Sequence, residues 1–192
     1  MTEQEMLQMY EDAGALLNGH FVLSSGRHSA RYLQSALVLM HPSNATALAS
    51  ELIKRVNTDD YDMVVSPAIG GLVIGQEVAR QLNKPFIFTE RKEGEMQMRR
   101  GFSIPKDAKL LVVEDVITTG GSVRECIAVV REYGGNPTTV LAVVDRAPQQ
   151  EDRFDMPHHT VIALDVETFN TDDCPMCKEG TPAIKPGSRG NG

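Results

Sequence analysis

The chain has 192 residues, 41% of them hydrophobic, which suits one domain with a full core and a small attached subdomain. Its formal charge of −7 disfavours nucleic acid as a main partner, and no apolar run nears the ~20 residues that span a membrane. The N-terminus lacks a basic and then apolar signal segment, and three cysteines, an odd number, fit a reducing cytoplasm rather than a disulfide framework.

Met6, Met9, Tyr10, Ala13, Leu16 and Leu17 predict an amphipathic helix over residues 2–17, without Lys or Arg. Gly19 ends that pattern. Short strands are expected at residues 21–23 and 31–39, around a polar turn at 24–29. Pro42 and Ser43 open a second helix to about residue 56. A repeated pattern follows: a strand at 62–66, a helix at 71–82, a strand at 85–89, then a polar excursion over 90–106. A strand at 109–114, a helix at 120–133 and a strand at 138–145 continue it, with a further strand at 160–165. After Glu167 the abundance of Gly, Pro and charge predicts little regular structure. Strands alternating with helices predict an α/β fold, a central parallel sheet covered on both faces. Such sheets bind ligands beyond the carboxyl ends of their strands, where Ser66, Glu90, Glu114 and Asp145 are expected. No internal repeat or interdomain linker divides residues 1–192.

The most informative segment begins in the strand at 109–114. An apolar run, Leu110-Leu111-Val112-Val113, ends in Glu114-Asp115, and Thr118-Thr119-Gly120-Gly121-Ser122 leads into a helix. A Thr/Gly/Ser loop can turn its N–H groups around one phosphate, and the helix dipole favours the anion. The carboxylates suit sugar hydroxyls, or a metal bound to them. A sugar phosphate is the first expectation, and an ordinary strand and turn is the alternative. A nucleotide P-loop fits worse, because no Gly-Lys-Ser/Thr follows the glycines. Gly70-Gly71 at a second helix start allow close approach to an anion, or form a plain tight turn. Arg91, Lys92, Arg99 and Arg100 concentrate positive charge in the long excursion, which is functional or a solvated charged hairpin. Arg146, just past a strand end, can hold a carboxylate through two parallel hydrogen bonds, although such an arginine is more often on the surface. Cys174 and Cys177 have knuckle spacing, but a structural zinc needs four ligands. No second CxxC exists, His158 and His159 stand apart, and the five histidines form no evident ligand constellation. A site shared across a dimer is the remaining route to zinc. Cys126 reads as a small core residue.

The segment from Leu110 to Val123 resembles the phosphoribosyl pyrophosphate (PRPP) signature of type I phosphoribosyltransferases. The resemblance implies that Glu114 and Asp115 meet the ribose hydroxyls. It implies that Val116 and Ile117 belong to the PRPP site, that Thr118, Thr119, Gly120, Gly121 and Ser122 bind the 5′-phosphate, and that Gly70 and Gly71 face the pyrophosphate. The excursion corresponds to a mobile lid, which excludes water from the activated sugar. Arg91-Lys92 resembles the pair that opens that lid in orotate phosphoribosyltransferases, and Asp145-Arg146 resembles their base-binding pair. Thr118 matches a second orotate contact, and Ser25 and Gly26 lie in a segment resembling the cap over the base. The Cys174 to Arg189 tail resembles that of one branch of the family.

The implied fold is the type I phosphoribosyltransferase core with a small N-terminal hood, mostly residues 1–41. The implied activity converts orotate and PRPP to orotidine 5′-monophosphate and pyrophosphate, with Lys92, Arg91 and Asp115 in catalytic roles. Mg²⁺ is the implied cofactor, held mainly by PRPP and not by protein side chains. The implied assembly is a homodimer in which Lys92 visits the neighbouring site. The chain departs from the family at Ser24 and near Gly70, where lysines are usual, and at Glu95 and Gln97, where a Lys and a His are usual. Arg99 and Arg100 are candidates to supply that charge. A purine phosphoribosyltransferase and a non-catalytic PRPP-sensing regulator are the alternatives.

Overall fold

The computed structural model describes residues 1–23, 25–164 and 166–186. Ser24, Ser188 and Arg189, and the expected strand end at Asp165, lie outside the described residues. Helix α1 (Glu3–Asp12) starts on a capping box. The Thr2 hydroxyl accepts from the Glu5 N–H, and the Glu5 carboxylate accepts from the Thr2 N–H. Met6 and Tyr10, one turn apart, are buried. The helix stops well short of residue 17. Gly14 turns the chain at φ +63°, and Leu16 and Leu17 enter β1 (Leu16–Val22), opposite Leu33 and Tyr32 of β2 (His28–Leu33). A short apolar run fits either period, and the available partner strand decides. Gly19 therefore lies inside a strand, where the register slips between Asn18 and Phe21. The strand expected over 31–39 ends at Leu33, and α2 (Ser35–Leu39) coils Val38 and Leu39 into the core. Helix α3 (Pro42–Ile53) follows, with proline in its first turn.

The central sheet uses β3 (Met63–Pro67), β4 (Phe86–Lys92), β5 (Glu95–Met98), β6 (Lys109–Ile117), β7 (Asn136–Asp145) and β8 (His158–Ala163). Their spatial order is β5-β4-β3-β6-β7-β8, parallel throughout except for the edge strand β5. Helix α4 (Gly71–Leu82) covers one face and α5 (Gly121–Glu132) the other. Val64, Leu111, Val113 and Leu141 pack with α1, α3 and α4, while Val65, Leu110, Val112 and Val140 pack with α5. Burial on both faces explains why these strands read as unbroken apolar runs. Each such side chain contributes about 1.5–3 kcal/mol by leaving water. The polar excursion is partly ordered. Glu93 and Gly94, both at positive φ, join β4 to β5 as a tight antiparallel hairpin.

The end of the described chain is more regular than its composition suggests. Strand β9 (Thr168–Phe169) pairs with β2, completing a three-stranded hood sheet β1-β2-β9. Helix α6 (Pro175–Lys178) follows, and Ile184 then bridges Phe21 of β1. This fold-back corrects the expectation about histidines. His20 and His28 of the hood meet Cys174 and Cys177 of the tail, with all four ligand atoms within 4.8 Å of one another. Their separation in sequence, 154 residues from His20 to Cys174, hid the cluster.

Candidate active site

Strands β6 and β7 deliver their carboxyl ends to a cavity of about 530 Å³ roofed by the hood and the tail. Tyr32 and Ser25 come from the hood, Asp115 from β6, Thr118 and Thr119 from the loop, and Lys185 from the tail. A neighbouring cavity of about 500 Å³ shares Ser25, Thr118, Thr119 and Arg146 with it.

The two acids are placed differently. Asp115 faces the cavity, whereas Glu114 is buried beneath it and accepts the Asp115 N–H at 3.1 Å. Burial, and next the neighbouring Asp115, push the Glu114 carboxyl well above the usual carboxylate range. The Gly70-Gly71 loop packs directly on this pair. A Cβ on Gly70 would collide with the Asp115 carboxylate, and one on Gly71 would sit 2.9 Å from Val113 O and 3.1 Å from Glu114 Oε1. Only glycine permits that approach.

The loop from Thr118 ends at Gly120, whose φ of +75° caps α5. A side chain there would be strained and would meet the Phe154 ring at 2.9 Å. The first amides of α5 have no intrahelical acceptors and, with the dipole, favour an anion beside Thr119. Two arginines hold the loop from outside. Arg124 donates to Thr119 O at 2.8 Å, and Arg153 donates to Thr118 O at 3.1 Å. Arg153 also forms a buried two-pronged pair with Asp145, one prong at 2.9 Å. Asp145, at the end of β7, is thereby turned inward rather than toward the cavity.

Arg146 is the opposite case. Its backbone N–H donates to Ile117 O at 2.9 Å, which fixes it beside the loop. Its residue is 8% exposed, it lines both cavities, and its Nε is buried without a hydrogen-bond partner among the described residues. Burial pulls its pKa below the usual arginine range, yet a guanidinium remains charged at neutral pH. A buried cation without an anion beside it is costly, and a ligand carboxylate or phosphate would relieve that cost.

A phosphoribosyl transferase domain matches residues 38–172. An orotate phosphoribosyltransferase from Caldicellulosiruptor bescii is 49% identical over 189 residues, covering 98% of this chain and 99% of its own. Another from Thermotoga maritima is 44% identical over 183 residues, with 95% and 97% covered. Among solved structures, an Aeropyrum pernix orotate phosphoribosyltransferase superposes with a TM-score of 0.68 at 29% identity, covering 82% of this chain and 93% of that one. This chain belongs to the orotate phosphoribosyltransferase family.

Of the positions that the family motifs single out, Ser25, Asp115, Val116, Thr118, Thr119 and Arg146 line the cavity. Ile117 is in the core, and Glu114, Gly70, Gly71, Gly120, Gly121 and Ser122 lie under or beside the lining. Gly26 shapes the hood turn at φ +80° and is exposed. Arg91 and Lys92, on the β4–β5 hairpin, are exposed and do not line the cavity. Arg91 pairs with Glu125 of α5 at 2.5 Å and donates to Gly94 O at 2.9 Å. Arg100 grips Glu90 with two hydrogen bonds of 2.8 and 2.9 Å, and Arg99 approaches the same carboxylate at 3.3 Å. In this arrangement Arg91, Arg99 and Arg100 are neutralised locally. Sequence reasoning missed Arg153, Tyr32 and Lys185. No motif marks Arg153, which lies in a polar segment and reaches Asp145 and Thr118 from it. The tail gave no sign that it returns to the cavity.

Proposed function

We propose that the chain transfers the 5-phosphoribosyl group of PRPP to orotate, giving orotidine 5′-monophosphate and pyrophosphate. The observation that carries the base choice is Arg146, a buried guanidinium with an unpartnered Nε beside the Thr118–Thr119 loop. Its planar fork matches the orotate carboxylate. Asp115 accepts from a ribose hydroxyl, and the loop ending at Gly120 receives the 5′-phosphate on free amides. Tyr32 keeps its phenol proton, because burial raises its pKa, and so can donate to a ligand oxygen. During transfer the bond from the anomeric carbon to pyrophosphate breaks, the bond to the orotate ring nitrogen forms, and the nitrogen's proton is released. Positive character builds on the sugar, so the protein chiefly positions both substrates and stabilises departing charge.

The residues present fit Mg²⁺ held through the substrate. Asp115 brings a carboxylate oxygen to the cavity, while Glu114 is buried beneath it. An ion with so few protein ligands keeps substrate oxygens and waters, and would neutralise pyrophosphate charge. Arg91, Lys92 and one of Arg99 or Arg100 serve as a closing lid, with Lys92 crossing to the neighbour in a two-fold dimer. The three free cysteines fit the cytoplasm. Among the described residues no helix is long and apolar enough to cross a membrane.

An adenine phosphoribosyltransferase from Thermoanaerobacter pseudethanolicus shares the fold, with a TM-score of 0.69 at 13% identity. Adenine has no carboxylate to answer Arg146, which favours orotate. The test follows orotate absorbance with PRPP and Mg²⁺. Consumption of orotate with release of pyrophosphate is expected. Turnover of adenine or hypoxanthine in its place would transfer the site to the purine enzymes, and no turnover of any base would overturn the enzymatic reading.

A further inference from the structure

We propose that His20, His28, Cys174 and Cys177 bind one structural Zn²⁺ that fastens the tail to the hood. The His20 and Cys174 side chains are buried, at 3% and 0% exposure, and the four ligand atoms converge within 4.8 Å. Two thiols and two imidazoles are a common tetrahedral zinc set. Zinc–sulfur and zinc–nitrogen bonds of ordinary length set tetrahedral edges of about 3.6 Å between S and N and about 3.3 Å between two N atoms. Here the Cys174 and Cys177 sulfurs lie 3.6 and 3.7 Å from His20 Nε2, and Cys177 Sγ lies 3.3 Å from His28 Nδ1. The edge between the imidazoles, 2.6 Å from His20 Nε2 to His28 Nδ1, opens by under about 1 Å to accept the ion.

A second observation comes from outside the four ligands. His20 Nδ1 lies 2.7 Å from Thr181 O, and a carbonyl can only accept. Nδ1 therefore carries the proton, and Nε2 presents its lone pair to the cluster. A ring nitrogen fixed in this way by a backbone carbonyl is the usual support of a metal-bound histidine. Thr171 Oγ1 stands 3.4 Å from the outer nitrogen of His28 in a corresponding place. The local backbone also serves the cluster. The slip in register between Asn18 and Phe21 accommodates His20, and Cys174 caps α6 one turn before Cys177.

Four protein ligands leave no open position, so the ion is structural rather than catalytic. Its effect is topological. It ties the first hood strands to the tail, whose Ile184 pairs with Phe21 and whose Lys185 and Pro186 line the cavity. Closing so long a loop removes much freedom from the unfolded chain.

Metal analysis of protein purified without chelators and dialysed against buffer tests the site, with activity set aside. About one zinc per chain is expected, against essentially none in the Cys174→Ser/Cys177→Ser double variant. If that variant fails to fold, the wild-type protein still decides. A mercurial thiol reagent should release one zinc as two thiols react in the native state, because Cys126 is buried in the core with its thiol pushed up to about 12. Cobalt substitution should give the visible spectrum of a tetrahedral thiolate–imidazole site. Wild-type protein without stoichiometric zinc after zinc loading, a Cys174–Cys177 disulfide, or full zinc retention in the folded double variant would each overturn the proposal.

Discussion

The Thr118–Ser122 loop and the β4–β5 hairpin both carry residues suited to a polyanion, yet they are built in opposite ways. The loop leaves a largely buried strand and is clamped by Arg124 and Arg153, with Arg146 beside it lacking a partner at Nε. The hairpin is exposed, and Arg91, Arg99 and Arg100 already have carboxylate partners in Glu125 and Glu90. A rigid element keeps its binding groups unpaired and ready, at a standing cost in burial. A surface element keeps its charges paired until a ligand offers something better, and exposed pairs are weak enough to exchange.

The sharpest way to break this contrast is to loosen the loop from behind. Arg153→Ala strands Asp145 as a buried unpaired charge and frees Thr118 O. Loss of one partner of a buried pair costs about 3–5 kcal/mol. Thermal melting should fall by roughly 6–20 °C, since each kcal/mol moves a chain of this size by about 2–4 °C. A change near zero would show that the clamp is not needed to hold the loop. Arg146→Ala tests the unpaired side. A charge-assisted hydrogen bond contributes about 1.5–3 kcal/mol, so orotate affinity should drop roughly ten- to a hundredfold or more, with PRPP affinity nearly unchanged. Equal loss for both ligands would point to damage of the whole cavity.

The hairpin side is probed by complementation. Lys92→Ala and Asp115→Asn should each be nearly inactive. Unfolded together and refolded as an equal mixture, chains that form the proposed two-fold dimer would give half mixed dimers, each with one complete site. About a quarter of wild-type activity should return if Lys92 visits its neighbour. Mixed dimers without activity would confine Lys92 to its own subunit. The smallest effect belongs to Glu114. Its raised pKa stabilises the fold fully below about pH 4.5, and that contribution is lost as pH climbs through the raised value. Glu114→Gln should therefore gain melting temperature over wild type as pH rises from 4.5, by a few degrees at roughly 2–4 °C per kcal/mol, and then level off. A difference independent of pH would show that the Glu114 carboxyl titrates alike in the folded and unfolded chain.

The parts legible from sequence were those whose period and chemistry agree locally. Helix α4 ran from Gly71 to Leu82 as read, because Ile74, Val78 and Ala79 mark one face and glycine starts it. The parallel strands were legible because burial on both faces leaves uninterrupted apolar runs. The hood was not. Leu16 and Leu17 satisfy a helix as well as a strand, and only pairing with Leu33 and Tyr32 separates the two. Asp115, Thr118 and Arg146 line the cavity, and they were legible as candidates because motif and strand end coincide there. Arg153 and the His20–Cys174 convergence were not, because contacts across such distances leave no spacing to read.

The close packing of Gly70 on Asp115 has a mechanical consequence. No gap remains between the turn before α4 and the acid at the end of β6. A push on that turn toward β6 is a push on the carboxylate, and the two move as one piece. Were Gly70 to face the pyrophosphate and Asp115 the ribose, as the family resemblance implies, these two parts of PRPP would be held at a set spacing by one rigid contact.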